Sequence, residues 1–289
     1  RIVKKADREE TMAFRQTATS TMNIVNQSLG AFLITFLSFF HLALINSLTF
    51  AISLLITLAI KSQINNFYID KTPSTKVSKV DFKATFSDII SNLKLSLKHL
   101  FSLTNMKTVL LVIPILNGSL AIIIPLAVVN LSKSSALTII SSATTISVLG
   151  ISTVSGGILG GTLILISKKF KNLSIENLLK MNLMTILLSF IAFYYQNIYF
   201  IVLTLFLSSV FVSALNPKIG AIIFNNLDET KLATIFGGMV TYFQLGDVVS
   251  RLLFSTLVIY LSYTYIAVIY MILVLIVAIY TFRRVQTTS

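Results

Sequence analysis

A helix must run through roughly 20 apolar residues to cross the hydrocarbon core of a bilayer, which is about 30 Å thick. This sequence contains eight stretches that satisfy the requirement: 19–40, 42–60, 109–131, 137–166, 178–195, 198–215, 232–260 and 263–282. Charged residues make up 11% of the chain, against about 25% in an ordinary soluble domain, and the mean hydropathy is +0.87. These runs predict an all-α membrane protein. The first two stretches are expected to join in a tight turn near His41, the fifth and sixth near Asn197, and the last two near Ser262.

Orientation follows from the cations. Twenty-one of the 23 lysines and arginines fall in three places: ahead of the first stretch, in the connector 61–107, and in the alternate loops and tail beyond it. Lys133 alone lies on the opposite side, and Arg251 lies inside a stretch. Lysines and arginines hold loops on the cytoplasmic side, so both ends and the connector are expected inside a cell membrane crossed many times. The same distribution accounts for the formal net charge of +13 without a nucleic-acid partner. Nine of the ten carboxylates share the cytoplasmic segments, and only Asp247 is left within a span. The chain opens on Arg1 with charged residues and no signal peptide, which leads us to expect further sequence upstream.

The connector divides in two. "KTPSTKVSK" (71–79) has the composition of a flexible linker. Residues 81–101 place Phe82, Phe86, Ile89, Ile90, Leu93, Leu97 and Leu100 at helical spacing among lysines. Such an amphipathic helix suits either the inner leaflet or a face of the bundle. A shift of 220 residues brings "DREETMAFRQ" (7–16) near "DETKLATIFGG" (228–238) and sets Gln27 on Asp247. That internal likeness fits two parallel halves.

Three stretches, "LGAFLITFLSFFHLALINSLTFAISLL" (29–55), "GGILGGTLILISKKFKN" (156–172) and "ALNPKIGAII" (214–223), resemble the major facilitator superfamily in its macrolide-efflux and siderophore-exporter branch. The resemblance spans most of the chain. It implies that the eight stretches correspond to helices 5–12 of that fold. Residues 1–60 would close the N-terminal bundle, 61–108 would form the cytoplasmic linker with its amphipathic helix, and 109–289 the C-terminal six-helix bundle. Four helices of the same protein would precede Arg1. In the loop after the eighth helix, Ser167 and Phe170 stand where that branch often has an acid and a glycine.

Chemistry is most concentrated where polarity is most expensive. A charge at the bilayer centre costs about 2.5–3.5 kcal/mol even on insertion scales. Gln244, Asp247, Arg251 and Ser255 form one helical stripe, with Asp247 and Arg251 spaced to touch, and the stripe is expected to face protein or water. Two roles compete for the pair. Asp247 could carry a proton or a cationic group while Arg251 stabilises its charge, or the two could clasp one bundle to the other. Asn26 and Gln27 make a parallel uncharged stripe in the first span, and Asn117 stands between Pro114 and Pro125, where missing backbone bonds permit a kink. With neither cysteine nor more than two histidines, no metal, cofactor or nucleophilic set is expected, and no Walker A loop occurs. The sequence therefore reads as a transporter rather than an enzyme. We expect an ion-gradient-driven antiporter exporting drugs or other small amphipathic molecules by alternating access, its partners being that substrate, protons and the bilayer. The rival is a truncated, non-transporting membrane protein that acts by binding a partner or an antimicrobial peptide.

Overall fold

The computed structural model describes residues 10–19, 21–22, 37–68, 82–102, 106–226 and 229–286. Described secondary structure is helical throughout, with no strand among the described residues. We label the helices α1 (residues 10–19), α2 (Phe39–Tyr68), α3 (Phe82–Ser102), α4 (Met106–Lys133), α5 (Ser142–Ile166), α6 (Lys168–Lys171), α7 (Ile175–Tyr194), α8 (Ile198–Asn226), α9 (Glu229–Tyr260) and α10 (Tyr263–Gln286). Among the described residues, seven of them are long and apolar enough to span a membrane: α2, α4, α5, α7, α8, α9 and α10. Most of the first expected span, 23–36, and the linker 71–79 lie outside the described residues.

The chain forms two compact units, Asn23–Ser87 in one and Arg1–Met22 with Asp88–Ser289 in the other. In the smaller unit, Ser38 caps α2 through its hydroxyl, 3.5 Å from the His41 amide and 2.7 Å from His41 Nδ1. His41 is thus inside the helix, and the expected turn comes earlier, at residues 37–38. No residue of the Ala43–Ile60 stretch is buried within the protein. A helix apolar on every side and covered by no protein is suited to lipid.

In the larger unit α4 is central, touching α5, α7, α9 and α10. Pairs α5–α8, α8–α7 and α7–α10 pack around it. The core has no common hydrophobic side, because lipid is as apolar as leucine; close packing and buried polar contacts take its place. Gly246 of α9 lies directly on the Pro114 carbonyl of α4, and Gly118 of α4 on Gly246 and Ser250. A Cβ at either glycine would strike backbone or the Ser250 hydroxyl. Between α7 and α8 a buried polar seam replaces glycine. The Ser208 hydroxyl donates to Asn182 Oδ1 at 2.6 Å and the Ser189 hydroxyl to Thr204 Oγ1 at 2.8 Å.

Local chemistry sets the ends. Helix α5 starts at Ser142 rather than at 137, since Ser141 accepts from the Thr144 amide as N-cap. Leu137 is instead buried in the preceding turn. Asn197 Oδ1 caps α8 at the Phe200 amide, and α8 continues past Leu215 and through Pro217 to Asn226. On α3, Leu100 is buried, Leu93 and Leu97 are partly so, and the buried Ser96 hydroxyl donates to the Thr234 carbonyl of α9 at 3.1 Å. One face of the amphipathic helix therefore packs on the bundle, while Ile90, Lys94, Leu95 and Lys98 stay exposed.

Candidate functional site

A cavity of about 370 Å3 opens among α1, α4, α8 and α9. Small residues seat α1 beside it. Gly220 of α8 leaves room for Met12, whose sulfur would come within 2.5 Å of an added Cβ, and Gly161 of α5 leaves room for Thr17. Seated there, α1 presents Arg15, Gln16 and Thr19 to the cavity. Proline-containing helices form two further walls: α4 contributes Asn117, three residues after Pro114, and α8 contributes Asn216, next to Pro217. Proline has no amide hydrogen to give the carbonyl four residues back. This frees the Ser213 carbonyl in α8, close to the wall, and the Ser213 hydroxyl lies 3.5 Å from Gln16 Nε2. The fourth wall is α9, with Phe236, Met239, Phe243 and Gln244.

Asn117 is partly committed, since its Nδ2 donates to the Phe243 carbonyl at 3.2 Å and ties α4 to α9. Among the described residues, Arg15, Asn216 and Gln244 make no side-chain hydrogen bond or ion pair. Three polar heads from three helices thus converge on one space with their donors and acceptors uncommitted. Among the described residues no carboxylate lines the cavity, and Arg15 is the one charged group of its wall.

The residues singled out in the sequence divide. Asn117 and Gln244 meet at the cavity. Asp247 and Arg251 meet each other, with Nε donating to Oδ1 at 2.5 Å, but they do not line it. Their side chains are 39% and 59% exposed respectively, on a face of α9 that also shows Val248, Leu252 and Ser255. Gln244 is the point where this stripe reaches the cavity, about 10 Å from Arg251 along the axis at 1.5 Å per residue. Asn26 and Gln27 lie outside the described residues. Arg15, Gln16 and Asn216 escaped the sequence reading. Arg15 looks like one more cytoplasmic cation, and Asn216 like a polar end to an apolar run. Only the juncture of α1 with α8 gives them a common purpose.

Other polar groups near α1 are committed to structure. Lys171 Nζ pairs with Glu10 Oε1 at 2.5 Å, tying α1 to the short basic helix α6. The buried Lys218 donates to the Lys171 carbonyl at 2.5 Å. Among the described residues no three His, Cys, Asp or Glu side chains gather as metal ligands would. No protein-family model, no curated protein and no solved structure matches the chain.

Proposed function

We propose that this protein is a secondary active transporter of the major-facilitator kind, its spans corresponding to helices 5–12 of that fold, which exports a small amphipathic molecule by alternating access. The cavity among α1, α4, α8 and α9 carries this reading. Its walls combine aromatic and thioether surface with uncommitted amides and one cation, the mixture that small-molecule sites use: apolar walls and a few placed polar groups. Two of its helices contain proline near the polar residue they contribute. A proline within a helix at a polar cavity leaves a backbone carbonyl without its helical partner, free for a solute or for water. The Asp247–Arg251 stripe, one helical face along from Gln244, extends polarity away from the cavity. There it can serve ion coupling.

Alternating access makes a specific demand: one residue of the path must reach water on each side of the membrane in turn. The chain contains no cysteine, so Gln244→Cys creates a single reporter. In oriented vesicles a membrane-impermeant methanethiosulfonate is expected to modify it from both faces. Modification from one face only, under every condition tried, would remove the transport reading and leave a static pocket.

A further inference from the structure

We infer that the cavity takes an amphiphilic organic anion, with Arg15 as counter-charge to its acidic head and the Phe236–Phe243 wall against its apolar body. The inference rests on the transport reading only in treating the cavity as a place where solute enters.

Two carboxylates close to the cavity walls in sequence are spoken for elsewhere. Glu10, on the same helix as Arg15, is held by Lys171, and Asp247, three residues beyond Gln244, is held by Arg251. Among the described residues no acid lines the cavity, and Arg15 makes no ion pair. A cavity with one uncompensated guanidinium is electropositive. A cationic ligand there would set like charges together. A carboxylate, sulfonate or phosphate ester instead completes a charge-assisted pair with the planar guanidinium fork. The Asn216 and Gln244 amides supply further donors to such a head without adding charge.

The rest of the ligand follows from what is opposite. Phe236, Met239 and Phe243 line the α9 side, and an apolar body gains by leaving water for that surface. At about 370 Å3 the space is near the lower limit of small-molecule sites, roughly 300–1,000 Å3. A small aryl or alkyl acid fits this description better than a large polycyclic drug. The basic inner surface, with Lys168 and Lys169 exposed, would also draw anions toward the cavity from the cytoplasmic side.

Thr19 lines the cavity without belonging to the proposed anion contacts, so Thr19→Cys is a reporter that leaves the site intact. The full chain, in nanodiscs of neutral lipid, is labelled with an impermeant thiol reagent in the presence of four probes: 4-phenylbutyrate, its neutral amide, 4-phenylbutylamine and acetate. Phenylbutyrate is expected to slow labelling at a concentration about tenfold below that needed of the amide, as the loss of one charge-assisted hydrogen bond implies, with the amine and acetate weaker still. Adding Arg15→Gln should erase the preference for the acid, and Arg15→Lys should keep most of it. Equal protection by acid and amide, or better protection by the amine, overturns the proposal. So does acetate matching phenylbutyrate, which would reduce the site to a bare anion hole. The head-group comparison stands without any Arg15 variant, should Arg15→Gln fold poorly. Two-faced labelling of Gln244→Cys with no preference for the acid sinks this inference alone. Preference for the acid with one-faced labelling sinks the transport reading and spares the site.

Discussion

Asp247 and Arg251 sit one turn apart on α9, bonded to each other, Arg251 exposed and Asp247 partly so. A pair of this kind can be tolerated in two surroundings. In water, an exposed i,i+4 ion pair contributes only about 0.3–0.5 kcal/mol, so losing one partner matters little. In hydrocarbon, the survivor would be an unpaired charge at about 2.5–3.5 kcal/mol, while losing both partners would be mild. The transport reading places the stripe on a wet face. We therefore expect Asp247→Asn and Arg251→Gln each to lower stability by less than about 1 kcal/mol, as measured by denaturant unfolding in bilayer discs. The double variant should fall short of their sum by no more than the pair's own few tenths of a kcal/mol, about 0.3–0.5. Singles that cost several times more than the double would put the stripe against acyl chains instead. On the coupling role, Asp247→Asn should also abolish ion-driven transport while leaving folded yield unchanged.

At the scale of helices, pairing depends on two devices, glycine contacts and buried hydroxyl bonds, and the second can be measured cleanly. Asn182 and Ser208 are both fully buried in the α7–α8 seam. Asn182 Oδ1 accepts from Ser208, and its Nδ2 has no partner. Ser208→Ala would strip the amide of its one hydrogen bond. Interhelical bonds in membranes average about 0.6 kcal/mol and reach about 1.7, and this fully buried one should fall in the upper half of that range. Thermal unfolding in detergent, with the exposed Ser147→Ala as control, reads the difference; no difference would mean the seam is held by packing alone. The sequence disclosed the helices far better than their pairing. Seven of the eight apolar runs are helices here because hydrocarbon thickness sets a length that residues cannot disguise. Ends were harder to read. "LTII" before Ser141 is as apolar as a span, yet Ser141 caps the helix after it. Pro217 suggests a stop that α8 runs through. The cavity was legible only in half. Asn117 stands out beside its prolines and Gln244 on its stripe, whereas Arg15 and Asn216 become partners only when α1 lies on α8. Periodicity shows which face of a helix is polar but not which helix that face meets.

For the whole molecule, the transport reading ties the direction in which the path opens to the cation distribution. Five lysines, at 168, 169, 171, 180 and 218, surround or follow the α5–α7 connection, whereas the α4–α5 turn has Lys133 alone. The two connections lie at opposite ends of α5, so they must emerge on opposite faces if α5 spans. On the transport reading, the positive-inside rule would then put the lysine-rich end in the cytoplasm. With it go the Glu10–Lys171 pair and the inner end of α1, where Arg15 reaches the cavity. An exporter of anions needs this orientation, because its basic rim must gather solute from the side it empties. The cysteine-free background allows a direct measurement at two exposed loop positions, Ser135 and Asn172. In intact cells an impermeant thiol reagent should modify Ser135→Cys and leave Asn172→Cys untouched until the membrane is opened. The reverse pattern would turn the protein over, place the basic rim outside, and convert the same cavity from an exit for anions into a means of taking them up.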